Sequence, residues 1–231
     1  MTVQHLFFDL DNTLWDHRKN AYLTLKDIFE KENINALYGI NFEDFHHEYF
    51  TINENLWAQI RDGEITKEYL KKHRFYDSFL FFGIDDINLS TSFENQFLDE
   101  IIGHNELVTG TIETLTYLKN KGYELHILSN GFQEVTHRKC QMSGIAFFFS
   151  TITSADEISI RKPQAEIFQY ALHKSDATIA NSMMIGDDWI ADIEGALAFG
   201  MPAIFLDCFN DGYHAENVKT VQSLLEIKNI L

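Results

Sequence analysis

The sequence predicts an α/β protein, a parallel sheet with helices on both faces, into which an all-helical domain is inserted near the start. Three observations carry this. From about residue 106 onward, short apolar runs alternate with helix-length amphipathic stretches, the rhythm of strands joined by crossover helices. One further apolar run, Leu6-Phe7-Phe8, stands alone near the beginning. Between it and residue 105 the spacing is helical and no convincing strand occurs. The expected division is therefore a core of residues 1–14 and 106–231 and an inserted helical domain of residues 15–105.

Leu6-Phe7-Phe8 reads as a buried strand feeding the polar turn Asp9-Leu10-Asp11-Asn12-Thr13. Tyr22, Leu25, Ile28 and Phe29 repeat at helical spacing, and so do Phe42, Phe45, Tyr49 and Ile52. Residues 64–75 and 90–102 also read as helices, with Gly63 and Gly83 as punctuation. Residues 111–121 form a helix with Leu115 and Leu118 on one face, stopped by Gly122. A strand over 124–128 runs into Ser129-Asn130-Gly131, a helix over 132–143 stops at Gly144, and 147–152 is a further strand. Pro163 is expected to open a helix through His173, because its missing N–H suits a first turn. Met183-Met184-Ile185 is a strand ending in Gly186-Asp187-Asp188. A helix over 190–199, a strand over 203–206 and a closing helix over 220–227 complete the chain.

Composition sets outer limits. With 231 residues, 45% of them hydrophobic and 14% aromatic, the chain can bury a sizeable core, and bulk disorder is excluded. A net charge of −17 argues against a nucleic acid polymer or an anionic membrane as partner. A small phosphate remains compatible, since a bound cation reverses the field locally. Cys140 and Cys208 match no zinc spacing and no disulfide framework. With no signal stretch and no apolar run of bilayer length, the expectation is a cytoplasmic protein.

Open parallel sheets bind ligands beyond the carboxyl ends of their strands. Asp9, Asp11 and Thr13 follow one predicted strand, Ser129 and Asn130 another, and Asp187 and Asp188 a third. Lys162 lies in a loop before a helix. Each cluster alone is ordinary turn or cap chemistry. Their convergence on one edge of the sheet is the central expectation.

In this order the clusters resemble the four motifs of the haloacid dehalogenase-like hydrolases: Asp9-Leu10-Asp11-Asn12-Thr13, Ser129, Lys162-Pro163, and Gly186-Asp187-Asp188 with Asp192 following. The resemblance spans nearly the whole chain and implies a Rossmann-like core, with the helical insertion where that family carries a cap. Leu128-Ser129-Asn130-Gly131-Phe132, with Gly63-Glu64-Ile65-Thr66-Lys67 and Arg74-Phe75 in the insertion, is similar to the pyrimidine 5′-nucleotidase branch. A cap that moves about the segments near Trp15 and Asn105 is expected.

The resemblance implies roles that the chemistry of a phosphate monoester explains. Asp9 would attack phosphorus as a covalent nucleophile, splitting one hard displacement into two. Asp11 would protonate the leaving oxygen and then activate the hydrolytic water. Two like charges about 4 Å apart repel by ~4 kcal/mol at an effective dielectric of about 20, so Asp9, Asp187 and a dianionic substrate call for Mg²⁺. Its implied ligands are the Asp9 and Asp187 carboxylates and the Asp11 backbone carbonyl. Ser129, the Asn130 N–H and Lys162 would hold the phosphoryl oxygens. Thr13, Asp188 and Asp192 would act around the ligands. Asp192 follows Asp187 by five residues where many relatives have four, so it is not given a direct ligand role.

Asp11 favours phosphoryl transfer, because dehalogenases of the superfamily lack that second Asp. The expected substrate is a small phosphorylated metabolite, above all a pyrimidine nucleoside 5′-monophosphate. Sugar-phosphate or phosphoglycolate phosphatase and phosphosugar mutase are the alternatives. An aspartyl-phosphate signalling switch is the non-enzymatic one, against which the long insertion after Asp9 argues. Trp15, Trp57, Tyr49 and Phe75 include candidates for stacking on a base, although packing accounts for each.

Overall fold

The computed structural model describes residues 3–231. The chain forms two compact units, one of residues up to His17 together with Asn105–Leu231, the other Arg18–His104.

The second unit is built from α1 (His17–Lys31), α2 (Ile34–Tyr38), α3 (Phe42–Arg61), α4 (Lys67–Phe81) and α5 (Ile87–Glu100). Side chains satisfy the N-termini of three of them: Asn41 accepts from Asp44 N–H, Thr66 from Tyr69 N–H, and Asp86 from the N–H groups of Asn88 and Leu89. The core is aromatic. Tyr49 stacks on Phe75 with ring centroids 4.9 Å apart, and Phe79 meets Phe93 edge to face at 4.9 Å. Within this core Arg74 grips Glu94 bidentately, Nε to Oε2 at 2.6 Å and Nη2 to Oε1 at 2.9 Å, with the guanidinium 4.8 Å above the Phe97 ring. Tyr49 and Phe75 are therefore buried packing residues of this unit, and Trp15 is fully buried in the other.

The first unit is one six-stranded parallel sheet. Its strands are β1 (His5–Phe8), β2 (Glu124–Ser129), β3 (Phe149–Ser154), β4 (Ser182–Gly186), β5 (Ala203–Leu206) and β6 (Lys219–Val221). Their order is β3-β2-β1-β4-β5-β6. Parallel neighbours need crossovers, supplied here by α6 (Thr111–Asn120), α7 (Gln133–Met142), α8 (Ala165–Lys174) and α9 (Gly195–Phe199). Phe7, Leu128, Met184 and Phe205 pack with Ile167, Phe168 and Ala196 from the helices of one face. Leu6 and Phe8 alternate with Phe7 and are equally buried, so the central strand is covered on both sides. The chain steps outward from β1 through β2 to β3, then returns to the other side of β1 as β4. The direction of winding thus reverses between β1 and β4, and this is where such sheets open a crevice at their carboxyl ends.

Three expected elements differ. The closing helix over 220–227 is instead β6 followed by a 3-10 turn, Leu224–Asn229. Thr220 and Val221 are β-branched and pair beside β5, and that long-range partner decides. Pro163 does not open α8. Residues 161–164 form a tight turn closed by Gln164 N–H on the Arg161 carbonyl, the Lys162–Pro163 peptide is cis, and the helix begins at Ala165. The helix over 190–199 begins as a π turn, Trp189–Glu194, before becoming α9. No helix among the described residues is long and apolar enough to cross a membrane.

Two tests follow from the packing. Glu94→Ala leaves the Arg74 guanidinium buried without its partner. Urea denaturation should show a loss of ~3 kcal/mol, recovered largely by pairing Glu94→Leu with Arg74→Met. In the sheet, His126 stacks between His5 and Phe7, and its Nε2 lies 3.1 Å from His5 Nδ1. Burial and His5 push its pKa down to about 4 from 6.5. The unfolded chain then takes up a proton that the folded one refuses. Stability is whole above pH 6.5 and is lost as the pH falls toward about 4. Urea midpoints should decline on acidification from about pH 7 to about pH 5, and His126→Asn should flatten that slope.

Candidate active site

The turn after β1 sets the first two carboxylates. Leu14 and Trp15 N–H groups both reach the Leu10 carbonyl, and Asn12, at φ 61°, donates its N–H to the Trp15 carbonyl. Asn tolerates this left-handed conformation better than most residues. The tightly wound loop holds Asp9 at the strand end and Asp11 one step beyond it.

Lys162 is the hub. Its Nζ is 2.6 Å from Asp9 Oδ1, 2.6 Å from Asp192 Oδ1 and 2.7 Å from the Leu128 carbonyl, so all three ammonium hydrogens have acceptors although the residue is 1% exposed. Its loop is bracketed by Asn130, whose Oδ1 accepts from Lys162 N–H at 2.8 Å and whose Nδ2 donates to the Lys162 carbonyl at 2.9 Å. Ser129 Oγ accepts from Gly131 N–H at 3.0 Å, which leaves the hydroxyl hydrogen to be donated elsewhere.

After β4, Asp187 Oδ1 accepts from the buried Thr13 hydroxyl at 2.7 Å. Asp188 is exposed and caps the π turn, accepting from Ala191 N–H at 2.9 Å, while its own N–H donates to Asp192 Oδ2 at 3.1 Å. Both oxygens of Asp192 are thus engaged. Asp192 can come so close only because residue 186 is glycine: a Cβ there would lie 2.0 Å from Asp192 Oδ2. An extra residue in a helical turn is what a π turn accommodates. The turn Trp189–Glu194 absorbs the five-residue interval and brings Asp192 round to Lys162.

One carboxylate oxygen from each of Asp9, Asp187 and Asp192 lies within 4.8 Å of the others. Burial pushes Asp9 and Asp187 upward in pKa. Lys162 opposes this for Asp9, while Asp187 is raised further by Asp9 and Asp192. Burial raises Asp192 too, against the pull of Lys162. Burial disfavours the Lys162 ammonium, but Asp192 and Asp9 outweigh it and keep the charge. One buried cation thus faces three carboxyl groups. Such a set of hard oxygen donors with excess negative charge fits Mg²⁺. The hydrogen bonds take one oxygen of Asp9 and one of Asp187, leaving one of each for a cation, whereas Asp192 is occupied with Lys162 and Asp188.

One residue escaped sequence reasoning. Lys139, on α7, is 4% exposed and places Nζ 2.5 Å from Asp11 Oδ1. Burial pushes the Asp11 carboxyl up, but Lys139, with His17 and Lys162 beyond, prevails and holds it below the ordinary carboxylate value. The available signal was its spacing: Lys139 shares a helical stripe with the buried Val135, Thr136 and Cys140.

The site unites acidic, hydroxyl and ammonium groups at one edge of a parallel sheet, and comparison with known proteins agrees. The chain belongs to the haloacid dehalogenase-like hydrolase family, whose model matches residues 3–200. It is 28% identical over 204 residues to the HAD-hydrolase YfnB of Bacillus subtilis, covering 87% of this chain and 83% of that one. It is 25% identical over 235 residues to the pyrimidine 5′-nucleotidase YjjG of Escherichia coli, covering 98% and 96%. The crystal structure of YfnB bound to magnesium has the same fold, with a TM-score of 0.90 at 24% identity over 100% of this chain and 99% of that one.

The bracket on the Lys162 loop makes a testable claim. Asn130→Ala removes two hydrogen bonds to backbone groups and should lower the unfolding free energy by about 1–3 kcal/mol in urea melts, with Asn130→Asp recovering only part.

Proposed function

We propose that the protein is a phosphoric monoester hydrolase acting on pyrimidine nucleoside 5′-monophosphates through a phosphorylated Asp9. The observation that carries this reading is the grip of Lys162 on a single oxygen of Asp9. It orients the other oxygen for attack beside Asp187 and the Ser129–Gly131 loop. The substrate class rests on the likeness to the pyrimidine 5′-nucleotidase YjjG along 98% of the chain. The helical unit enters the chain between Asp9 and α6, the position of a cap in this reading.

In the first step an Asp9 oxygen forms a bond to phosphorus as the bond to the departing 5′-oxygen breaks. Asp11, protonated once the approaching substrate dianion raises its pKa, gives that oxygen a proton, and the nucleoside leaves neutral. Ser129 donates its hydroxyl hydrogen to the phosphoryl group, and Lys162 offsets the charge shared with Asp9. In the second step Asp11 takes a proton from a water molecule as the water oxygen bonds to phosphorus. The bond to Asp9 then breaks, releasing inorganic phosphate and restoring the carboxylate. Asp9, Asp187 and the Asp11 backbone carbonyl would hold Mg²⁺, which supplies positive charge against the substrate dianion.

The test is phosphate release from dUMP and from a chromogenic ester in Mg²⁺. The parent protein should turn both over, and Asp9→Asn should lose at least ~1000-fold in kcat. Mg²⁺ should also raise the melting temperature of the parent but not of Asp187→Asn, a readout independent of turnover. Unchanged turnover by Asp9→Asn would overturn the mechanism, and phosphate release from the chromogenic ester but not from dUMP would overturn the substrate class.

A further inference from the structure

We propose that Lys139 is a positioning residue that fixes the orientation of the Asp11 carboxylate, a role that rests on the phosphatase reading above. A lysine this buried loses hydration that only specific partners replace. Lys139 has two: Asp11 Oδ1 at 2.5 Å, and the face of the fully buried Trp15 ring, 4.3 Å from Nζ to the centroid. Both belong to the turn after β1, locked by the hydrogen bond from Asn12 N–H to the Trp15 carbonyl. Trp15 is in turn anchored to the strand-like segment at Leu107. The ammonium therefore sits in a cradle whose floor and acceptor are built from one loop.

The geometry distinguishes the two oxygens of Asp11. Lys139 takes Oδ1, while Oδ2 lies toward Gly131, 3.5 Å from the point where a Cβ on that residue would stand. Ser129 Oγ is 3.1 Å from the same point. The unclaimed oxygen thus faces the loop assigned to the phosphoryl group. Asp11 is otherwise loosely held: its side chain is 27% exposed, and His17 Nδ1 at 3.9 Å is too far for a hydrogen bond. Without Lys139 the carboxylate is free to turn about its χ angles, and proton delivery and water activation both lose their alignment.

The two halves of the reaction depend on Asp11 differently, and this separates positioning from general damage. An aryl phosphate such as 4-nitrophenyl phosphate needs no proton on its leaving group, so only hydrolysis of phospho-Asp9 requires Asp11. In Lys139→Gln and Lys139→Met, steady-state turnover of the aryl ester should fall ~100-fold, while rapid mixing shows a stoichiometric 4-nitrophenolate burst within about 3-fold of the parent rate. An alkyl ester such as dUMP should lose at least as much, with no burst. Lys139→Arg, which keeps the charge and the donors, should return turnover to within about 10-fold of the parent. Circular dichroism checks the fold, and Lys139→Arg carries the comparison if the neutral variants fail to fold. A burst that slows in step with steady state, turnover unchanged in the neutral variants, or no recovery with Arg would overturn the role of Lys139. Failure of the parent to release phosphate from either ester is a different outcome, and it would sink the phosphatase reading itself.

Discussion

The Lys162 ammonium is the interaction on which this architecture turns. It joins the carboxylate after β1, a carbonyl of β2 and the carboxylate of the π turn after β4. A buried ammonium is tolerable only when its hydrogens are met, and meeting them requires three segments distant in sequence to end at one place. The strand order provides this, because β2 and β4 are the two neighbours of β1. Losing the lysine would leave the buried carboxyl groups of Asp9 and Asp192 without their shared cation. The same contact therefore organises the fold locally and fixes the orientation of the Asp9 carboxylate.

Around this hub the polar groups are held in pairs that divide the labour. Thr13 takes one oxygen of Asp187, Lys139 takes one of Asp11, and Lys162 takes one of Asp9. Each of these carboxylates keeps a second oxygen for chemistry or for a cation. Asp192 differs, since both its oxygens are used inside the protein. Its part is to hold Lys162 in place.

Much of this could be read in the sequence, and the reason is local. Asp9, Ser129 and Asp187 each interrupt an apolar run abruptly, and a charge at the end of a buried strand has few places to go. Strand and helix order followed from periodicity for the same reason. What resisted reading depended on partners far away in the chain. Residues 220–227 look helical alone, yet Thr220 and Val221 become an edge strand because β5 offers a free side. Pro163 resembles a first-turn proline, but the grip of Asn130 on its neighbour delays the helix to Ala165. Lys139 resembles a solvated lysine until Asp11, 128 positions earlier, is seen against it. Arg74, part of a string similar to one branch of the family, has a structural explanation in Glu94.

The π turn carries a consequence for engineering. Insertions and deletions usually survive in peripheral loops, where displaced backbone meets only solvent. Trp189–Glu194 is no such loop: it stands directly between the regular β4 and α9 and carries Asp192 to Lys162. Adding or removing one residue in it would turn Asp192 away from its lysine, so the length of this turn is fixed by that contact.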